Sequence, residues 1–388
     1  MNRAEIVAWA EANYLDLEFT AARRWLAEAP GRKAVGFLPV YAPVELIHAA
    51  GMLPVGVHGG GDRIDIIRGD AYYQSYICHL PRSVVELAVT GRLDFLSGAL
   101  FPSTCDVIRN LSGMWKVMYP EKYSRYVDLP QDFSVGMGGD FWNNELRELV
   151  HDLGELRGSP LTEAELQKGI GDWNRRRAVI RALYAKRRDE PHNVPTDELY
   201  QLLRAGEIVP FDEFMTMAEA YLEVCDKDGR RPRDNARVIV IGSFCEQPPL
   251  GLIRTIERAG CYIVDDDYLV GNRFLTREVR VEGDAVRDLA DAFLSHTVTN
   301  PIVYEKDAGG KRRLVGERLR AARAEGVIFA APSFCDPALL DRPMLQTGAA
   351  AEGISFISFK YAENTGQFQQ FREQAGTFSD AIKLWGNA

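Results

Sequence analysis

The sequence lacks most of the short signatures by which a few residues declare a function. Its 388 residues include six cysteines, at 78, 105, 225, 245, 261 and 335, and no two are spaced as CxxC. That spacing excludes a zinc ribbon, a ferredoxin-type cluster run and a disulfide-stapled miniprotein. Any metal site must therefore be assembled by the fold from distant segments. The six histidines form no HExxH or HxxxH pattern, and Gly59–Gly61 does not fit GxGxxG. The triplet Gly309-Gly310-Lys311 is followed by Arg312 rather than Ser or Thr, so it is no phosphate-binding Walker loop. No uncharged apolar run reaches the roughly 18 residues of a membrane span. The opening MNRAEIVAWAEANYLDLEF carries acidic residues within its apolar pattern and has no signal-peptide layout. Positive charge is in deficit, with 46 basic against 55 acidic residues and a net charge of −9. This argues against broad binding to a phosphate backbone. The expectation is a soluble, cytoplasmic protein with neither nucleic acid nor membrane as a partner.

The rest of the composition is that of an ordinary globular protein, 46 % apolar and 26 % charged. At about 150 residues per domain the length suggests two or three domains. An amphipathic helix is expected from Arg3 to about Leu26, with Ile6, Trp9, Ala10, Tyr14 and Leu17 at helical spacing. A strand at Lys33–Pro39 leads to a helix punctuated by Pro43 at its start and Gly51 past its end. Further strands are expected at Leu53–Val57 and in Leu93–Phe101, with helices over Tyr76–Val89 and Cys105–Met118. Such alternation is the pattern of an open, mostly parallel α/β sheet. From about Asn143 to Cys225 the chain is charged and helical, with a capping box at Thr162 and Glu165. Arg175–Arg177 and Lys186–Arg188 read as solvated helix faces, and Asp226–Asn235 as a linker. Alternation resumes with strands at Ala236–Gly242, Cys261–Val264, Val327–Ala331 and Ile354–Phe359. The fold expected is α/β: an N-terminal helix (1–30), a first domain (31–142), a helical insert with linker (143–235) and a second domain (236–388). Both domains are read as open, mostly parallel sheets of Rossmann or flavodoxin-like kind. The two halves suggest a duplicated architecture.

In such sheets ligands collect beyond the carboxyl ends of the strands. Cys105, Cys245 and Cys335 fall in or beside that setting, and Cys78 lies near the start of a helix. Exposed N–H groups at a helix start favour the thiolate, the form that ligates metal. Each of the four is open to two readings, a ligand or a buried small hydrophobe. Cys225, on an amphipathic helix, and Cys261, opening an apolar strand, read as the latter. Asp265–Asp267 reads as an acidic strand end or a cation site, and His48 as a packing residue. Glu45, in the first turn of its helix, suits the helix dipole.

Several phrases, taken together, resemble the benzoyl-CoA reductase and 2-hydroxyacyl-CoA dehydratase family: APVELIHAAGMLPVGVHGGGD, GDAYYQSYICHLPRS, LFPSTCDVIRNLSGMWK, FCEQPPLGLI, GCYIVDDD and FAAPSFCDPALLDRPML. The resemblance extends to the closing helix, and within the family it is strongest to the gamma-type subunit of the ATP-dependent benzoyl-CoA reductases. It implies a [4Fe–4S] cluster held by three cysteines, here Cys78, Cys105 and Cys335, with Cys245 in reserve, at or near an acyl-CoA site. It further implies a related cluster-bearing subunit, two ATP-binding subunits that activate single electrons, and reduced ferredoxin as donor. The substrate would be benzoyl-CoA or a close aromatic acyl-CoA, reduced to a cyclic diene. ATP would be hydrolysed by the partner subunits. Glu45 matches a glutamate that the dehydratase branch associates with acid/base work. The alternatives are a dehydratase subunit, or a structural or electron-relay subunit of a similar complex.

Overall fold

The computed structural model describes residues 1–38, 40–227, 229–269, 277–296, 309–362 and 364–385. Pro39, the expected end of the first strand, and Asp228, within the expected linker, lie outside them.

The first half contains helices α1 (Arg3–Tyr14) and α2 (Thr20–Ala27), strand β1 (Ala34–Phe37), α3 (Val44–Ala49) and β2 (Leu53–Gly56). It continues through α4 (His79–Val89), β3 (Gly98–Pro102), α5 (Asp106–Met118) and β4 (Tyr123–Val127). Four helices follow: α6 (Asp140–Arg157), α7 (Glu163–Asp189), α8 (Thr196–Ala205) and α9 (Phe211–Lys227). The second half holds β5 (Ala236–Ile241), α10 (Leu250–Arg258), β6 (Cys261–Asp266), α11 (Ala285–His296) and α12 (Gly309–Ala322). It closes with β7 (Gly326–Pro332), α13 (Asp336–Ala351), β8 (Phe356–Tyr361) and α14 (Gln369–Trp385).

Every strand pair is parallel. The sheets run β2-β1-β3-β4 and β6-β5-β7-β8, which is one order repeated. Strands β1, β2, β3 and β7 are buried along their whole length, as parallel strands covered on both faces must be. Their apolar runs thus follow directly from their place. One buried cluster extends from Ile6 to Ile382 through both halves, so the two sheets share a core. No helix among the described residues is long and apolar enough to cross a membrane.

Two expectations need correction. The first helix is broken: Asp16 accepts hydrogen bonds from the N–H groups of Glu18 (3.0 Å) and Thr20 (2.7 Å), and Phe19 adopts φ +51°. A short acidic side chain bonding nearby backbone offers an alternative to helical continuation. The arginines of α7 are also misread by composition, since Arg176, Arg177 and Arg187 are buried. Arg176 pairs with Glu207 (2.9 Å), Arg177 with Glu45 (2.5 Å) and Arg187 with Asp266 (2.6 Å). Arg175, by contrast, is exposed. The expected capping box at Thr162 and Glu165 is present.

Candidate metal centre

The repeated strand order has a counterpart in the chain. Strand β3 ends in Pro102 and runs into Ser103-Thr104-Cys105-Asp106, and β7, its equivalent, ends in Pro332 and runs into Ser333-Phe334-Cys335-Asp336. The same backbone bond anchors each turn: Ser103 N–H donates to Val127 O (2.9 Å) and Ser333 N–H to Tyr361 O (2.5 Å). Cys105 is thereby the N-cap of α5, and Cys335 the N-cap of α13. Cys78 is the N-cap of α4, and its side chain makes no capping hydrogen bond. Cys245 lies beyond the carboxyl end of β5. Gly242 turns the chain there at φ +121°, where a Cβ would stand 2.8 Å from Ala330 O.

These four thiols line one cavity of about 780 Å³ between the two halves, with Thr104, Phe244, Lys311 and Met344 among its walls. The Thr104 hydroxyl and the Cys245 sulfur are 3.5 Å apart. Lys311, itself buried, is held by both carboxylate oxygens of Asp341 at 3.0 Å. The other two cysteines are elsewhere: Cys225 is buried with its thiol toward Asn193 O, and Cys261 is buried at the start of β6. Both fit the reading of small core residues.

Burial is the largest influence on all four cavity thiols, and it favours the neutral form. It pushes Cys335 up to about 12, with Cys105 and Glu246 adding to the rise. Cys78 is raised by burial, then by Glu246, Cys335 and Cys105. Cys245 is raised by burial, then by Cys105 and Cys335. The N–H groups of Ile108 and Val107 pull Cys105 down, as a helix start should, but burial outweighs them. The helix start alone therefore does not yield thiolates. A cation among the thiols is what would reverse the balance, since metal ligation deprotonates a thiol outright.

No three His, Cys, Asp or Glu side chains among the described residues are gathered closely enough to hold a single metal ion. The ligands of a multi-iron cluster sit on different irons and stand farther apart. Thiolates converging on a partly enclosed space are the donor set that suits iron–sulfur clusters. The residues present therefore fit such a group.

Glu45 is not in this cavity. It lies beyond the carboxyl end of β1, buried, in a tight pocket of about 60 Å³ with Tyr41, His58, Arg176, Arg177 and Glu207. The ring of Tyr41 packs 6.4 Å from that of Phe244, which lines the cysteine cavity, so an aromatic pair separates the two spaces. Asp265 and Asp267 both bond Arg318, and Asp266 bonds Arg187, so the acidic strand end is occupied by arginines. His48 bonds Asp172 (3.0 Å) between the rings of Trp173 and Phe211. Sequence reasoning missed Thr104, Glu246 and the Lys311–Asp341 pair. The PSxCD repeat was the signal that could have tied Cys105 to Cys335.

A duplicated parallel-sheet frame holding thiols at its strand ends defines the class, and comparison with known proteins supplies the family. Residues 39–382 match the family of the 2-hydroxyglutaryl-CoA dehydratase D-component. The chain is 51 % identical over 385 residues to a benzoyl-CoA reductase subunit of Thauera aromatica, covering 99 % of this chain and all of that one. It is 24 % identical over 358 residues to the (R)-phenyllactyl-CoA dehydratase beta subunit of Clostridium sporogenes (92 % of this chain, 93 % of the relative). It is 26 % identical over 359 residues to the beta subunit of (R)-2-hydroxyglutaryl-CoA dehydratase of Acidaminococcus fermentans (92 % and 94 %). The chain belongs to the benzoyl-CoA reductase and 2-hydroxyacyl-CoA dehydratase family.

Proposed function

We propose that the chain is a subunit of an ATP-dependent benzoyl-CoA reductase, in a hetero-oligomer that reduces the aromatic ring to cyclohexa-1,5-diene-1-carbonyl-CoA. The observation that carries this reading is the single cavity lined by Cys78, Cys105, Cys245 and Cys335, in a chain 51 % identical to a benzoyl-CoA reductase subunit. Cys78, Cys105 and Cys335 would hold a [4Fe–4S] cluster, with Cys245 in reserve. Bound there, such a cluster supplies single electrons at low potential, tuned by charge and solvent exposure. The chain's own part is to hold three thiols at helix starts and to keep water out. Leu80, Ile108, Leu129, Phe244 and Met344 give the cavity an apolar wall for the second task. The partners in this reading are a related cluster-bearing subunit, two ATP-hydrolysing subunits, reduced ferredoxin and an aromatic acyl-CoA.

Glu45 enters as a proton carrier, one aromatic pair removed from the thiols. Its carboxylate is bonded to Arg177, which ties it to α7 as well. A dehydratase subunit is the second reading, favoured by the family match and by the relatives at 24–26 % identity. A relay role is favoured by the fourth thiol, since four ligands would close the cluster to substrate.

The test begins with iron and acid-labile sulfide per chain after anaerobic purification, for wild type and Cys335→Ala. About four of each are expected in wild type, as a cubane requires, with a sharp fall in the variant. The assembled complex is then assayed with ATP on benzoyl-CoA and on a 2-hydroxyacyl-CoA. Dehydration of the latter, with no reduction of the former, would overturn the reductase reading.

A further inference from the structure

Glu246 belongs to the second half of the chain, yet its carboxylate ends in the first. It follows Cys245 on the loop after β5 and is fully buried. Its Oε2 accepts hydrogen bonds from His79 N–H (2.8 Å) and Leu80 N–H (3.4 Å), across 167 and 166 residues of sequence. These are the first two N–H groups of α4, the helix capped by Cys78, whose own side chain makes no capping bond. A helix start leaves its first N–H groups without partners in the helix, and a carboxylate is well suited to satisfy them. Here the opposite half of the molecule provides it.

The loop that presents Glu246 is itself fixed on several sides. Tyr361 O–H donates to the Glu246 carbonyl (3.0 Å), with the Ser243 hydroxyl 3.0 Å from the same phenol. Gln247 donates to Phe244 O and accepts from Leu269 N–H, both at 2.7 Å. The carboxylate is therefore held against α4, and Cys78 cannot shift relative to Cys245 without breaking these bonds. The carboxylate thus lies at the start of the helix that Cys78 caps and belongs to the residue next to Cys245, so it stands beside thiols of both halves.

We infer that Glu246 is a positioning residue of the metal centre: it clamps the Cys78 helix onto the second half and places a fixed negative charge beside the thiols. The inference rests on the cluster reading of the cavity. A buried anion next to a cluster opposes the arrival of an electron, so it lowers the potential at which the cluster is reduced. The same residue would thus fix the thiols and keep the centre strongly reducing.

The experiment compares the full-length wild type, Glu246→Gln and Glu246→Ala. Amide exchange at His79 and Leu80 in the iron-free chain reads the clamp without any cluster. Glu246→Ala should speed it about fivefold or more, in line with the loss of a helix cap, and Glu246→Gln should stay close to wild type. In the anaerobically purified, iron-bearing chain, Glu246→Gln should keep its iron while its midpoint potential, read by redox titration of the electron paramagnetic resonance signal, moves upward. Unchanged exchange in Glu246→Ala overturns the clamp, and an unchanged potential in Glu246→Gln overturns the charge effect. Absence of iron from wild type would sink the cluster reading and the charge effect with it, leaving the clamp to be judged by exchange alone.

Discussion

Cys105 and Cys335 hold the same place in the two halves of the chain, and the residue before each is what differs. Thr104 is buried and turns its hydroxyl toward the Cys245 sulfur. Phe334 has φ +64° and is 53 % exposed at the mouth of the cavity. A bulky side chain in the left-handed region costs on the order of 1–3 kcal/mol, which the surrounding turn must offset. The frame of strand, turn and helix thus delivers a thiol in both halves. The side chain before the thiol faces another thiol in the first half and the opening in the second.

The strongest way to break this comparison is to remove one thiol at a time. If both turns serve one cluster, Cys105→Ser and Cys335→Ser should each reduce iron per chain to a small fraction of wild type, measured on anaerobically purified protein. Cys225→Ser, altering a thiol buried away from the cavity, should leave it unchanged. Iron lost from only one of the two turn variants would mean that the repeated phrase is shared ancestry of shape, with the chemistry kept in one half.

The long helix α7 offers a second comparison, because it is pinned to each half by a buried ion pair. Arg187 and Asp266 are each 1 % exposed, and the guanidinium also lies 4.5 Å from the Tyr184 ring centroid. Arg177 and Glu45 are slightly less enclosed and border the pocket of about 60 Å³. Removing one partner of a buried pair strands the other, at a cost of about 3–5 kcal/mol. Arg187→Ala should destabilise the chain by that amount, read as a lower urea midpoint with an unchanged slope. Arg177→Ala should cost less, because the pocket gives water room to reach Glu45. Equal losses would show that the pocket does not relieve the stranded carboxylate.

Much of this frame was legible from residues that act locally. Alternating apolar runs announced two parallel sheets, and Pro43, Gly51, Thr162 and Glu165 mark helix ends whose physics spans a few residues. Strand β4 escaped notice because Tyr123–Val127 is an edge strand, only partly buried, whose Arg125 bonds Glu145, Glu148 and Asp152 on α6. The buried arginines of α7 were misread for a related reason. Their partners Glu45, Glu207 and Asp266 lie far along the chain, and a local charge pattern cannot show a distant carboxylate. Cys105 and Cys335 could be singled out because strand-end position is written in the sequence around them. Glu246 could not, since its role depends on a helix start 167 residues away.

The smallest effect is expected where the start of α8 meets α10 of the second half. Glu257, on α10, accepts a hydrogen bond from Thr196 N–H at the start of α8 (3.0 Å). Burial pushes its carboxyl up from the ordinary 4.5 to about 7, against the lowering effect of that bond, and Asp197 adds to the rise. The folded chain therefore binds this proton more tightly than the unfolded chain does. Its contribution to stability is fully present below about 4.5, is lost as the pH rises towards about 7, and is level above that. Glu257→Gln keeps an acceptor for Thr196 and has no proton to lose. Melting temperatures taken across this range should fall with pH more steeply for wild type than for Glu257→Gln. Parallel curves would mean that the carboxyl titrates alike in the folded and unfolded states, and that this seam with the second half carries no pH dependence of its own.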